Sequence, residues 1–142
     1  MSEAYRVETR SVDGGPTALG WGGPVTLVVD RTTGAGGRGL GFNGGQLLNL
    51  AVAGCISNDL FREATRRAIR LDRVRVTADA DYTGDPAVST PIEVTVELSG
   101  DAAPAALAEL VSQVDTIAEI PNSLRRGTEV RIRLGSLDAA SG

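Results

Sequence analysis

Hydrophobic and polar positions change their period several times along the chain, and each change marks an element. Near the N-terminus "AYRVETR" alternates weakly, "DGGP" supplies turn residues, and "TALGW" and "PVTLVVD" read as two further short strands around "GGP". From Gly45 to about Ile69 the recurrence becomes helical, carried by Leu47, Leu48, Ala51, Cys55, Phe61, Ala64 and Ala68. Between Leu47 and Ile56 it is apolar on nearly every side, as expected of a helix buried within a fold or an interface. "REATRRAIR" is amphipathic, so the second half of the helix must emerge toward solvent.

Period two returns in "RVRVTADADYT" and "PIEVTVELSG", which predict neighbouring antiparallel strands with one polar face, joined through a "GDP" turn. "DAAPAALAELVSQVDTIAEI" opens with Asp and Pro at a helix start and carries a stripe of Leu107, Leu110, Val111, Val114 and Ile117. "PNSLRRG" interrupts, "TEVRIRLGSL" predicts a closing strand, and the tail "DAASG" is expected to fray. The order β-β-β-α-β-β-α-β is that of an α+β fold, with helices packed on an antiparallel sheet. No internal repeat or linker interrupts it, so residues 1–142 are expected to form a single domain.

Composition removes whole classes of chemistry. The chain has no histidine and one cysteine, which excludes Ser-His-Asp and Cys-His catalysis within one chain, His-ligated metals, a structural zinc site and an internal disulfide. All 14 cationic residues are arginine, so neither Schiff-base chemistry nor a Walker lysine is available, and a GC-rich genome is suggested. A net charge of −4 with few aromatics argues against nucleic-acid binding. No window of eighteen consecutive apolar residues is present and "MSEAYRVETR" lacks an apolar signal core, so neither a membrane span nor export is expected and a cytoplasmic location is the default. No cofactor and no metal is called for.

"GAGGRG" satisfies G-x-G-x-x-G through Gly34, Gly36 and Gly39, between a strand and a helix. The elements before it read as hairpins, no βαβαβ series follows, and the helix begins well beyond the third glycine. A loop crossing an edge of the domain is the better reading than a dinucleotide cradle.

"FNGGQLLNLAVAGCISNDL" resembles the OsmC family, which includes the organic hydroperoxide resistance proteins. Those proteins open a long central helix with "N-P-E-x-L" and place a cysteine in an "A-G-C" or "A-C" setting. Asn43 and Cys55 keep that spacing, and Pro121 and Ser123 in "EIPNSLRRGTEVRI" match the family's late "C-P-x-S". The likeness runs from about Ala4 to Leu134. It implies an intertwined homodimer with buried central helices and active sites near the subunit interface. It also implies a helix cysteine that attacks the peroxide O–O bond as thiolate, and a second cysteine that closes a disulfide reduced by an external thiol. In the hydroperoxide branch a glutamate of "N-P-E" and an N-terminal arginine activate the first cysteine.

Each of those supports is altered here. Ile120 stands at the second cysteine, Gly44 and Gly45 replace Pro-Glu, and "VDGGPTALG" has no arginine. Arg10 and Arg38 are the substitutes the sequence offers. On the helix, Asn58 and Asp59 are the same-face neighbours of Cys55. Asn58 can donate to sulfur, whereas Asp59 opposes ionisation unless it pairs with Arg62 or Arg66. Glu119 is the candidate carboxylate from the late segment.

The candidate catalytic set is therefore Cys55 as nucleophile with Glu119, Asn58, Arg38 and Arg10, against the bland reading of Cys55 as a small buried residue. Two functions stay open. One is an OsmC-like, one-cysteine reduction of an organic hydroperoxide, with a small thiol such as mycothiol as reductant. The other is a divergent, non-peroxidase homodimer that binds or modifies a hydrophobic small molecule in an interface pocket.

Overall fold

The computed structural model describes residues 5–139. Three short strands, β1 (Glu8–Ser11), β2 (Ala18–Gly22) and β3 (Val25–Val29), form an antiparallel sheet in the order β1-β2-β3. Glu8 pairs with Trp21 across the first hairpin and Gly22 with Val25 across the second. In the first turn Asp13 and Gly14 take φ of 53° and 65°, a backbone that Asp-Gly adopts at small cost.

The central helix α1 (Gly44–Arg66) is 23 residues long. Asn43 starts it with a reciprocal capping box: its side chain accepts from Gln46 N–H at 2.9 Å, and the Gln46 side chain accepts from Asn43 N–H at 2.9 Å. The helix ends in a Schellman pair, Ile69 N–H to Ala64 C=O at 2.9 Å and Ala68 N–H to Thr65 C=O at 3.1 Å. That geometry puts Ala68 at φ 55°.

Strands β4 (Leu71–Asp79) and β7 (Glu93–Gly100) form the expected antiparallel pair, with Val74 opposite Leu98, Val76 opposite Val96 and Ala78 opposite Val94. Between them a small hairpin of β5 (Tyr82–Thr83) and β6 (Val88–Ser89) adds a second ladder. Two helices follow, α2 (Pro104–Ile117) and α3 (Glu119–Arg125).

The core forms where α1 crosses this sheet and α2. Val52, Ile56, Leu60 and Ala64, four residues apart along one face of α1, are buried with Leu110, Val114 and Ala118. Val74, Val76, Val94, Val96 and Leu98 close it from the sheet. Leu60 and Leu110 are fully enclosed, each contributing on the order of 2 kcal/mol of apolar burial. None of the residues in this core precedes Val52, so the N-terminal sheet adds nothing to it.

Three expectations need correction. "EIPNSLR" is a short helix, α3, where an interruption was expected. The hairpin β5–β6 stands inside what reads as a simple turn. The closing strand over "TEVRIRLGSL" does not form: among the described residues the segment has no ladder partner, and Val130, Ile132, Leu134 and Leu137 are left at 75–95% exposure. A strand is defined by its ladder partner, and none of the described residues supplies one there.

Candidate functional site

Cys55 sits midway along α1, at the margin between its buried and exposed faces. Val52 and Ile56 beside it are buried, Ala51 and Asn58 are exposed, and the thiol is half-buried against the core. Ile120, in the first turn of α3, packs against the same core. The position that matches a second sulfur in the resembled family is thus filled by an aliphatic side chain on the same cluster as Cys55.

The other predicted residues scatter. Arg10 lies on β1, 5.3 Å from the Trp21 ring centroid and 3.6 Å from Glu8. Arg38 is exposed in the glycine loop, donating its backbone N–H to Asp30 Oδ2 at 3.2 Å. Asn58 faces solvent. Glu119 is exposed at the start of α3, near enough to help hold the Arg62 guanidinium charged.

The α1 face that carries Cys55 continues into a ladder of charges that the sequence left half-read. Asp59, one turn on, is buried, and its Oδ1 meets Arg62 Nη1 at 3.1 Å. Arg62 Nε also meets Glu63 Oε1 at 3.1 Å, and Arg66 Nη1 meets the same oxygen at 2.9 Å. From α2, Gln113 Nε2 donates to Glu63 Oε2 at 3.5 Å while its own oxygen accepts from Arg67. Glu63 is therefore satisfied on both oxygens, whereas Asp59 Oδ2 is buried without a partner. The hydrogen bond to Glu63 raises the Arg62 pKa, burial opposes the shift, and the charges of Asp59, Glu63 and Glu119 reinforce it.

The glycine loop is pinned rather than free. Asp30, at 2% exposure, accepts from Thr17 Oγ1, from the Arg38 and Leu40 N–H groups on Oδ2, and from Arg31 N–H on Oδ1. Burial alone would push this carboxyl up, but the donors from Leu40, Arg31, Thr17 and Arg38 together hold it below its usual value. Gly37 is required there, since a Cβ would lie 2.1 Å from Arg31 O and 2.7 Å from Asp30 Oδ1. Nothing in "VVDRTTGAGG" marks Asp30 as buried except its place at the end of an apolar run.

Two cavities flank α1. A cleft of about 380 Å³ opens at its N-terminus between Asp30, Asn43, Gly45 and Tyr82. A larger groove of about 1020 Å³ runs between α1, β7 and α2, lined by Leu48, Val52, Ile56, Val94, Val111 and Leu124 among others. Cys55 does not line the groove, but its neighbours Val52 and Ile56 do. Among the described residues no group of His, Cys, Asp and Glu is arranged to hold a metal, and no helix is long and apolar enough to cross a membrane.

Comparison with known proteins agrees with this fold. Residues 36–133 match the family described as OsmC-like protein, and the chain belongs to that family. Similar solved structures include an OsmC-like protein from Mycoplasma pneumoniae, 14% identical, with a TM-score of 0.75 over 90% of this chain and 91% of that one. An organic hydroperoxide resistance protein OsmC from Legionella pneumophila is 20% identical, with a TM-score of 0.57 over 85% of this chain and 90% of that one. An organic hydroperoxide resistance protein from Elizabethkingia anophelis is 16% identical, with a TM-score of 0.59 over 87% of this chain and 90% of that one. No curated protein matches the sequence. At these identities the structural likeness carries the fold and no more.

Proposed function

We propose that the protein is a one-cysteine reductase of organic hydroperoxides that works as a cytoplasmic homodimer with a small thiol as reductant. The observation that carries this reading is Cys55, half-buried in the middle of the family's central helix. As thiolate, Cys55 Sγ attacks the terminal peroxide oxygen and the O–O bond breaks. The alkoxide leaves and is protonated to the alcohol, and sulfur keeps one oxygen as sulfenic acid. With Ile120 in place of a second cysteine, a small thiol displaces that oxygen as water and forms a mixed disulfide. A second thiol then releases Cys55 and leaves as the oxidised disulfide.

Two open surfaces support the dimer. The N-terminal sheet has no residue in the core, and Val7 and Val25 are 75% and 66% exposed. The segment 128–137 offers Val130, Ile132 and Leu134 at strand spacing with no ladder. A second copy that exchanges these parts would cover both apolar surfaces.

A second reading is favoured by one feature, the apolar groove, which is large enough for a hydrophobic small molecule and which Cys55 does not line. In that reading the protein binds or modifies such a molecule without peroxide chemistry. Turnover decides between them. The purified protein with excess small thiol should consume cumene hydroperoxide catalytically, and Cys55→Ser should abolish this. If the wild-type protein consumes it no faster than the thiol alone, the groove reading stands instead.

A further inference from the structure

The apolar groove beside α1 lies on the β7 side of the β4–β7 pair. Val94 and Val96 of β7 line it with Val111 of α2, and no residue of β4 does. β7 pairs with β4 alone, so among the described residues its other edge has no ladder partner. An open edge of that kind is a template for a strand from another chain. We propose, resting on the reading of the protein as a homodimer, that this edge and groove receive segment 128–134 of a second copy as a third strand of the sheet.

Pattern, charge and chain direction select this occupant. Val130, Ile132 and Leu134 recur at a spacing of two, as do Val94, Val96 and Leu98, which pack on the core from β7. A strand laid beside β7 continues its pleat, so the first three fall on the groove side and Glu129, Arg131 and Arg133 on the outer side. That outer face needs cations. Asp79 stands directly opposite Glu93 across the ladder, a like-charge pair that destabilises a sheet. Neither carboxylate has an ion-pair partner among the described residues. Arg131 and Arg133 bring two positive charges to it, whereas β4 presents Arg73 and Arg75 on the same face and its edge repels them.

The chain's own segment starts near the groove, because Leu124 and Arg125 of α3 line it. The backbone is nonetheless turned at Gly127, with φ 66°. Thr128 is tied back to α3, its N–H and Oγ1 both donating to Ser123 C=O at 3.1 and 2.9 Å. None of residues 128–137 lines the groove of its own chain. The groove is thus a subunit contact, closed to a small molecule once the second copy's strand is seated.

Disulfide trapping between full-length chains in a Cys55→Ser background tests this. Arg75 and Glu97 are exposed cross-strand neighbours on β4 and β7, so a cysteine at each reports which edge the strand joins. Neighbouring strands lie about 4.8 Å apart, within the span of a disulfide, and a strand one further away lies beyond it. Chains with Glu97→Cys are co-expressed with chains carrying Glu129→Cys, Arg131→Cys or Arg133→Cys in turn, oxidised, and read by intact mass. Glu97→Cys should form the mixed disulfide with one of the three and Arg75→Cys with none, and Ile132→Asp in the second chain should abolish the product. A dimer in light scattering that is trapped through Arg75→Cys, or through neither position, would overturn the placement and leave the dimer reading intact. A disulfide closed within one chain by the double variant Glu97→Cys/Arg131→Cys would also overturn it, since the strand would then return to its own sheet. A wild-type monomer would overturn both readings.

Discussion

A Cβ added to Gly45 would lie 2.8 Å from Tyr82 Cε2 and 3.3 Å from the Tyr82 hydroxyl. The ring on β5 therefore occupies the space that a side chain at 45 needs at the start of α1.

Gly45→Ala should accordingly be close to neutral in the wild-type background. The gain in helix propensity of about 1 kcal/mol is offset by displacement of the half-exposed Tyr82 ring. In a Tyr82→Ala background the same change should stabilise by about 0.5–1 kcal/mol. Urea unfolding of the four members of this cycle reads the coupling; additive effects would show that the ring does not constrain position 45.

Ala68 is the only non-glycine residue other than Asp13 at positive φ among the described residues. It holds the left-handed position of the α1 Schellman cap. Ala68→Gly should raise stability by about 1 kcal/mol, seen as a higher urea midpoint at unchanged slope. A lower midpoint would mean that the cap is not formed as described.

Asp30 gives the glycine loop a pH limit. Its folded-state pKa is below the ordinary value, so its contribution is complete above the unfolded value of about 3.9. That contribution falls away as the pH drops through the folded value. Asp30→Asn should be less stable than wild type at pH 7, and the difference should shrink below about pH 4. Thermal unfolding from pH 3 to 7 checks this; a gap constant over that range would show that the carboxylate charge plays no part.

The core and the open strand make opposite predictions. Leu60→Ala or Leu110→Ala removes a fully enclosed side chain and should cost about 2–5 kcal/mol. Ile132→Asp touches no core residue of its own chain, since Ile132 is 95% exposed. It should instead shift the protein from dimer to monomer in light scattering. Wild-type protein that is monomeric at micromolar concentration would refute the proposed exchange of strands.

The hydrophobic pattern was sufficient for α1, β4, β7 and α2 because each buries a regular face within the chain. It also predicted a strand at Val130, Ile132 and Leu134, where the alternation is real but the ladder is missing. Periodicity reports a face that wants burial and says nothing about which molecule covers it. The candidate site divided the same way. Cys55 and the pairing of Asp59 with Arg62 were readable from spacing along one helix. The hydrogen bonds to Asp30 from Thr17, Arg38 and Leu40 and the Tyr82 ring against Gly45 join residues that are not neighbours in sequence, and no local signal marks them.

The most direct measurement is the intact mass of the reduced protein after one equivalent of cumene hydroperoxide, with trapping of sulfenic acid by dimedone. Rapid gain of one oxygen at Cys55, trapped stoichiometrically and absent from Cys55→Ser, is the predicted result. A thiol that stays reduced in excess peroxide would contradict the account of Cys55 as the reacting group.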